Sequence, residues 1–566
     1  MERNAIFATI LVIMILVGYQ WYLAQFEAPA PQQPSKPSET APMNPPTPAP
    51  QPAAPTRPVP TPAPRVKPAA PREFTPTASL GLPPKDVVVK TPLIQVKVST
   101  AGARVINWEL LKYHTDSGTP VNLVAAAPAG VPAGTLATWI EAAPMQGVFQ
   151  VDRDELDLTG GQETGTLTFT YVAASGVQVL KRMTFQRDGY GIEVGLELKN
   201  LSKENVAVEP RLTWGPGFHN SHAKDATTLQ APTVWLDGKR VQEDITKLTG
   251  EKDIRGAVSW VALQDQYFAA ALVPLAKDDW AFVQKAADDQ PVVGLATAGR
   301  TLPAGGELST STIVFGGPKD LDVLKAVGRG LDQIVDLGMF DRLYLVTAAL
   351  WVLKVLYRFT GNYGLAIILV TILQKIAFYP LTTKSVRSMQ AMQAIQPKVQ
   401  AIQERFKNNP QKKQEETMAL YRKHGVNPMG GCLPMLVQIP IFIALYNALS
   451  SSVEMWQAHF LWIHDLTKPD SLFTLDLYGA TRNVGNILGL LMGVSMWVQQ
   501  KMSPPAGDPR QAQMMLWMMP ILFTFMFWSF PSGLVLYWLV NNILQIGQQW
   551  LIMRKPTKPA PEAQPA

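Results

Sequence analysis

Apolar positions fall along this chain in three different patterns. Toward the C-terminus they run together in long blocks: Tyr363–Tyr379, Leu433–Leu449, Val484–Val498, Met514–Phe530 and Leu534–Ile552. Each block reaches or approaches the ~20 residues that a helix needs to cross a ~30 Å bilayer core. A similar block, Ala5–Tyr22, lies at the other end. It exceeds the ~7–15 residues of a secretory h-region and closes on the aromatic residues Tyr19, Trp21 and Tyr22, so it reads as an uncleaved anchor. A cleaved signal peptide, with Ala28-Pro-Ala30 as its cut site, is the alternative. Between about Asp86 and Lys319 the pattern changes to alternation. Leu93–Val98, Thr166–Tyr171, Ile192–Leu198 and Ser311–Phe315 place apolar side chains at every second position. Such runs, separated by Gly/Asn/Asp turns, predict antiparallel sheets packed as a sandwich.

The intervening segments have their own signatures. Residues 28–85 are Pro/Ala-rich without periodicity and predict an extended linker. Residues 319–361 predict helices. Within them Asp341–Phe359 mixes Arg342, Lys354 and Arg358 with Leu, Val and Trp351, which predicts an amphipathic helix at the membrane interface, a spanning helix being the alternative. In 381–430, Val386, Met389, Met392, Ile395, Val399, Ile402 and Phe406 recur at steps of three and four. Asn408-Asn-Pro410 breaks that helix, and Met418, Leu420 and Tyr421 continue on a second one. The prediction is an antiparallel hairpin with one apolar seam, bent at Pro397. It is either self-packed with a solvated basic face, or a Met-rich surface that re-packs around different apolar segments.

The expected architecture is a polytopic α-helical membrane protein with six spans and an all-β sandwich domain. Its segments are an anchor (1–27), linker (28–85), sandwich (86–318), interfacial helices (319–361) and a second span (362–380). After the hairpin come a third span (431–452), a loop (453–483), a fourth span (484–502), a short loop (503–513), the last two spans (514–530 and 531–553) and a tail (554–566). Charge sets the orientation. Nine Lys/Arg against three Glu lie between Pro380 and Gly430, Lys501 and Arg510 flank the next loop, and Arg554, Lys555 and Lys558 follow the last block. By the positive-inside rule all three clusters are cytoplasmic, as are both termini, and the sandwich is periplasmic. The bulk numbers agree: 566 residues, 47% hydrophobic, 17% charged, net charge +6. A nucleic-acid patch is the competing reading of the first cluster. Ribosomal RNA stays open, and DNA is not expected.

Much chemistry is absent. There is no P-loop and no H-E-x-x-H motif. The single cysteine, Cys432, opens an apolar helix and supports neither a disulfide nor a metal site. His219 and His222 fall in a polar loop, and no Glu or Asp lies in the C-terminal blocks, which argues against a carboxylate proton relay. No enzyme, metal or cofactor is expected.

What the blocks do contain is polar. Lys375 interrupts Tyr363–Tyr379, and a cation there costs ~2.5–3.5 kcal/mol on insertion scales. Thr371 lies one turn before it on the same face, with Gln374 offset by ~100°. Gln438, Tyr446 and Asn447 lie in the third span and Thr524 in the fifth. The sixth carries Tyr537, Trp538, Asn541, Asn542 and Gln545. Read alone, Lys375 is as well explained by snorkelling to the headgroups, and the amides by interhelical hydrogen bonds. Together they suit a wet cavity open to the cytoplasm.

The strings around these residues resemble the YidC/Oxa/Alb family of membrane-protein insertases, in its Gram-negative form. They are Tyr379-Pro-Leu-Thr382, Gln396-Pro-Lys398, Val426–Pro434 (VNPMGGCLP), Gln438–Phe442 (QIPIF), Trp462–Leu466 (WIHDL), Gln500–Pro504 (QKMSP) and Phe530–Tyr537 (FPSGLVLY). Trp260–Phe268 (WVALQDQYF) adds a likeness in the sandwich. The resemblance implies a five-helix core around a hydrophilic groove, open to cytoplasm and lipid. It implies a non-enzymatic insertase and chaperone of the cell inner membrane, working with or without the Sec translocase. The family's groove cation is usually arginine; Lys375 stands in its place, keeping the charge without the bidentate fork. Gln438 matches a groove glutamine, and Tyr537 with Trp538 a substrate-contacting aromatic pair. The expected groove is Lys375, Thr371, Gln438, Thr524, Tyr537, Trp538 and Asn541, with hairpin contacts at Met389, Met392, Arg405, Lys412 and Lys413. Expected partners are nascent integral membrane proteins, Sec translocase components and membrane lipids, with the ribosome and signal recognition machinery as further candidates. A solute transporter or channel with a periplasmic sensor domain is the alternative, for which no internal repeat is visible.

Overall fold

The computed structural model describes residues 83–554, apart from 116, 127–133, 142, 219–230, 287–288, 339–343, 426–432, 473, 478–479, 484 and 503–508. The expected anchor, nearly all of the linker, nearly all of the C-terminal tail, His219, His222 and Cys432 lie outside the described residues. The rest divides into two compact units: the tip of the helical hairpin, Gln396–His424, and the remaining described residues.

The alternating region folds as strands. A nine-stranded sheet is built around Gly191–Asn200, which pairs antiparallel with Glu307–Pro318 on one side and Val177–Gln186 on the other. Its alternate side chains Ile192, Val194, Leu196 and Leu198 are buried, as a period of two demands. Two five-stranded sheets accompany it. Strand Phe268–Pro274 is buried on both faces, and so reads as a continuous apolar run. One close contact ties the layers: Trp108 donates from Nε1 to the Gly316 carbonyl at 2.9 Å. A Cβ on Gly316 would meet that indole at 2.7 Å, so only glycine fits there.

Lys181, on strand Val177–Gln186, is wholly buried in this domain. Its ammonium donates to the carbonyls of Ala103 (2.8 Å) and Leu136 (2.5 Å). Both acceptors sit at left-handed backbone positions, φ 47° and 56°. Burial, reinforced by nearby Arg104, pulls the Lys181 pKa down to about 7.

Helices follow the sheets: α1 (Leu321–Val327), α2 (Leu345–Thr360), α3 (Tyr363–Ala377), α4 (Tyr379–Arg405), α5 (Pro410–Lys423), α6 (Leu433–Ser451), α7 (Ile487–Met502), α8 (Pro509–Phe527) and α9 (Ser532–Met553). The amphipathic α2 buries Val346 and Leu350 against Ala444 and Ala448 of α6 and leaves Trp351 exposed. Lys354 of α2 donates to Asp322 (2.7 Å) and Glu454 (2.6 Å). Burial works against the Lys354 charge, but these bonds outweigh it and hold its pKa above the usual lysine range. The segment after α6 also meets the sheets: Trp456 donates to His114 O at 2.9 Å and packs edge-on to Tyr267 and Phe268.

The helix axis breaks where the sequence reading carried it through. The apolar block was expected to run to Tyr379; α3 stops at Ala377, and α4 leaves it at 67°. Pro380 explains this, because it has no N–H to bond back to Ile376 and its ring clashes with that carbonyl, so it is tolerated only in the first turn of a new helix. Pro397, where the bend was expected, lies inside continuous helix. Among the described residues no single helix is long and apolar enough to cross a membrane; the bent pair α3–α4 passes that test together. The 15 residues of α3 rise only ~22 Å, and the 22-residue α9 is diluted by Asn541, Asn542, Gln545, Gln548 and Gln549.

Candidate functional site: a polar cluster among apolar helices

Half of the 22 residues of α9 are buried. Leu534, Val535, Leu536 and Tyr537 are buried in a cluster that takes Ala366 and Ile367 from α3, Leu445 and Leu449 from α6, and Leu488 and Met492 from α7. Its start is held from the 453–472 loop: Ser532 N and Gly533 N donate to Lys468 O and Leu466 O, both at 2.8 Å.

Within this apolar frame, polar side chains meet at one level. Tyr537 donates its hydroxyl to Gln374 Oε1 (3.0 Å) and accepts from Gln438 Nε2 (2.6 Å). Gln374 Nε2 in turn donates to Gln438 Oε1 (3.1 Å). Next to this ring, Lys375 donates to Gln545 Oε1 at 2.8 Å. Among the described residues that is the one acceptor its ammonium meets. An ammonium carries three donors, so capacity remains for an incoming anion. A cavity of about 20 Å³ adjoins it, lined by Gln374, Lys375, Phe378, Leu381, Thr382, Gln438 and Ile441.

The expected site residues distribute unevenly around this point. Lys375, Gln438 and Tyr537 lie in the cluster. Thr371 is buried one turn away, its hydroxyl spent on Ile367 O at 2.7 Å. Asn541 is on α9, one turn before Gln545, with a buried Oδ1 that has no partner among the described residues. Trp538 points elsewhere, into an aromatic group with Phe442 (4.7 Å) and Phe527 (5.1 Å). Thr524 faces α7, where a Cβ on Gly493 would clash with its hydroxyl. It lines a separate apolar groove between α7 and α8 of about 820 Å³. In the hairpin, Met389 and Met392 are half-buried, Arg405 and Lys412 exposed and Lys413 half-buried. Inside the hairpin tip, Lys398 Nζ lies 3.1 Å from His424 Nε2, so its two arms run antiparallel.

Gln374 and Gln545 were not among the expected site residues. Gln374 lies ~100° from Lys375 around the helix, so spacing within the helix does not group the two. Gln545 had a usable signal: it follows Asn541 by four residues and so shares its face.

Two family descriptions match adjoining stretches: "YidC periplasmic domain" over residues 86–352 and "60Kd inner membrane protein" over residues 355–559. A relative from Syntrophus aciditrophicus, named membrane protein insertase YidC, is 35% identical over 98% of this chain and 100% of its own. The chain belongs to the YidC family. A second YidC, from Geobacter metallireducens, is 36% identical over 97% of this chain and 98% of its own. An active YidC insertase whose crystal structure resolves the first transmembrane domain is 20% identical, with a TM-score of 0.36, over 82% of this chain and 92% of that one. As a YidC-family protein, the chain is an inner-membrane protein whose periplasmic domain is mostly β. The polar cluster lies wholly within the residues matched by the inner-membrane description.

Proposed function

We propose that this protein inserts integral membrane proteins into the inner membrane and assists their folding, without enzymatic chemistry. Two YidC relatives matching nearly end to end carry the name of that activity. The geometric observation behind the mechanism is Lys375, a cation among apolar helices held by one neutral acceptor. A carboxylate entering beside it replaces an uncharged acceptor with a charged one, so the ammonium gains a bond between opposite charges. An acidic residue on the tail being moved is therefore attracted into the helices, and the desolvation cost of that tail falls. The guest's apolar segment then leaves into lipid, driven by burial of its own surface. The membrane potential assists where the tail is acidic.

In this reading α3, α6, α7, α8 and α9, with the N-terminal anchor, are six spans that sit in thinned bilayer. The short α3 supports thinning, because a span shorter than the hydrocarbon core is accommodated that way. Both termini and the basic hairpin are cytoplasmic, and residues 86–318 are the periplasmic sandwich. Lys375, Thr371, Gln438, Tyr537 and Asn541 line the groove, and Trp538 and Thr524 face the guest's exit path. Met389, Met392, Arg405, Lys412 and Lys413 receive the guest from the ribosome and signal recognition machinery, with or without the Sec translocase.

The test is reconstitution of the purified protein in liposomes with a small single-span client. Client insertion above that of empty liposomes is expected; insertion no better than the empty control refutes the proposal.

A further inference from the structure

The groove of about 820 Å³ between α7 and α8 has no part in the polar cluster. Its size falls within the ~300–1,000 Å³ of sites that hold small ligands. Apolar stripes form both walls. Leu490, Val494 and Trp497 come from one face of α7, at helical steps of four and three. Trp517, Ile521 and Phe525 come from one face of α8, at steps of four. Gly493 and Pro520 also line the groove and are buried, so its floor lies low between the walls. Thr524 spends its hydroxyl on Pro520 O at 2.7 Å and makes no polar demand on an occupant. All the wall residues except Trp497 are exposed.

The two ends of the groove differ. At one end Trp497 and Trp517 approach each other, with ring centroids 5.9 Å apart. Lys501 lies one turn beyond Trp497, toward the loop that joins α7 to α8, with its ammonium 5.1 Å from the Trp497 ring. Lys501 is exposed and pairs with no carboxylate among the described residues. The lining at the other end is Trp528 and Ser529, which carry no charge. Leu490 lies ~16 Å of helix rise from Lys501. That is about half of a ~30 Å hydrocarbon core. A spanning peptide needs the whole core, whereas an acyl chain of one leaflet needs half. An apolar slot one leaflet deep, with a cation at its mouth, is complementary to a lipid with an anionic headgroup.

We propose that the α7–α8 groove seats one anionic phospholipid of the leaflet on the Lys501 side, with its phosphate at Lys501 and an acyl chain along Val494 and Ile521. The placement rests on α7 and α8 being spans, as in the insertase reading. It goes beyond that reading by giving a lipid a built site beside Thr524, where a departing guest meets the bilayer.

The experiment uses the full chain and the single-span client in liposomes of phosphatidylglycerol and phosphatidylcholine in equal amounts. One protein carries the photoprobe p-benzoylphenylalanine in place of Ile521. A second carries it in place of Leu522, which is exposed but does not line the groove. After irradiation the mass of each adduct identifies what was captured. At Ile521 phosphatidylglycerol should exceed phosphatidylcholine about five-fold, the attraction of one lysine for an anionic headgroup. At Leu522 the two lipids should be captured as they occur in the bilayer. Lys501→Gln should bring the ratio at Ile521 down to that at Leu522. Equal ratios at the two positions, or no lipid adduct at Ile521, overturn the lipid seat. So does an excess of phosphatidylglycerol that survives Lys501→Gln, or an adduct at Ile521 with the client or with residues 1–27. Client insertion by the unsubstituted chain in the same liposomes reads the insertase proposal separately. Lipid selection at Ile521 without insertion supports the seat and refutes that proposal.

Discussion

Lys181 and Lys375 are held in two different ways. Lys181 lies in the sheets with its ammonium on two backbone carbonyls. Those carbonyls belong to Ala103 and Leu136, whose left-handed conformations are costly for side-chain-bearing residues. The cation therefore fixes two strained turns, and nothing around it can be exchanged without moving main chain. Lys375 lies among helices with its ammonium on one side-chain amide, beside a cavity of water size. That acceptor rotates away on a side-chain timescale. A cation held by backbone is part of the scaffold; a cation held by a movable side chain is available for work.

The sharpest way to break this contrast is charge reversal at Lys375. Lys375→Glu should lower client insertion about 100-fold, since repelling a partner carboxylate forfeits ~3 kcal/mol of attraction. Unfolding by denaturant should change little, Lys375→Arg should stay active, and Lys375→Gln should fall between. Equal insertion by all three would return Lys375 to the snorkelling reading.

Lys181→Met should give the converse result. It leaves two buried carbonyls without a donor and should cost ~2–4 kcal/mol of unfolding free energy. Insertion per folded molecule should stay unchanged. A loss of insertion without loss of stability would erase the distinction between the two sites.

The same lysine predicts a pH dependence. Its folded pKa is lowered to about 7 from 10.5, so between those values the unfolded chain binds the extra proton. Stability should therefore rise with pH across that window, by at most ~1.4 kcal/mol per unit relative to Lys181→Met. Below pH 7 both states hold the proton and the difference between the two proteins should be flat. Denaturant titrations of both at pH 6, 8 and 9.5 (round values chosen about the window) measure it.

The smallest expected effect is at Gln545. Gln545→Leu removes the acceptor that holds Lys375 when no client is bound, a bond of ~1.5 kcal/mol, so insertion of an acidic-tailed client should rise up to about ten-fold. A client whose tail carries no acidic residue should show no gain.

Much of the scaffold was legible before any coordinates. Ile192–Leu198 and Thr166–Tyr171 lie inside observed strands, Gly191–Asn200 and Thr164–Val172, because alternation is a local signal of a half-buried strand. Lys375, Gln438 and Tyr537 stood out because polar residues are conspicuous in apolar blocks. The bend at Phe378 was also available in principle, since Pro380 carries it, but the apolar run across Ala377 hid it. Thr524 groups with Lys375 only as a polar residue in an apolar block, and Trp538 through the family resemblance. Which way a helical side chain faces depends on packing, and the structure turns these two toward Gly493 and Phe442.

The sequence by itself determined the three regimes of the chain, the β and helical regions, the basic segments and the anomaly of Lys375. All of these are read from residues within about a turn or two of one another, which is the range of hydrophobic periodicity. Only the tertiary structure decided who satisfies whom. Gln374 finds Gln438 64 residues away, Lys375 finds Gln545 170 residues away, and Lys181 finds Ala103 78 residues away. Hydrogen bonds require distance and direction across separate elements, and no local pattern encodes either. Lys181 shows this most plainly: in the sequence it is one more lysine on an alternating strand, and in the fold it is the buried cation that holds two turns in place.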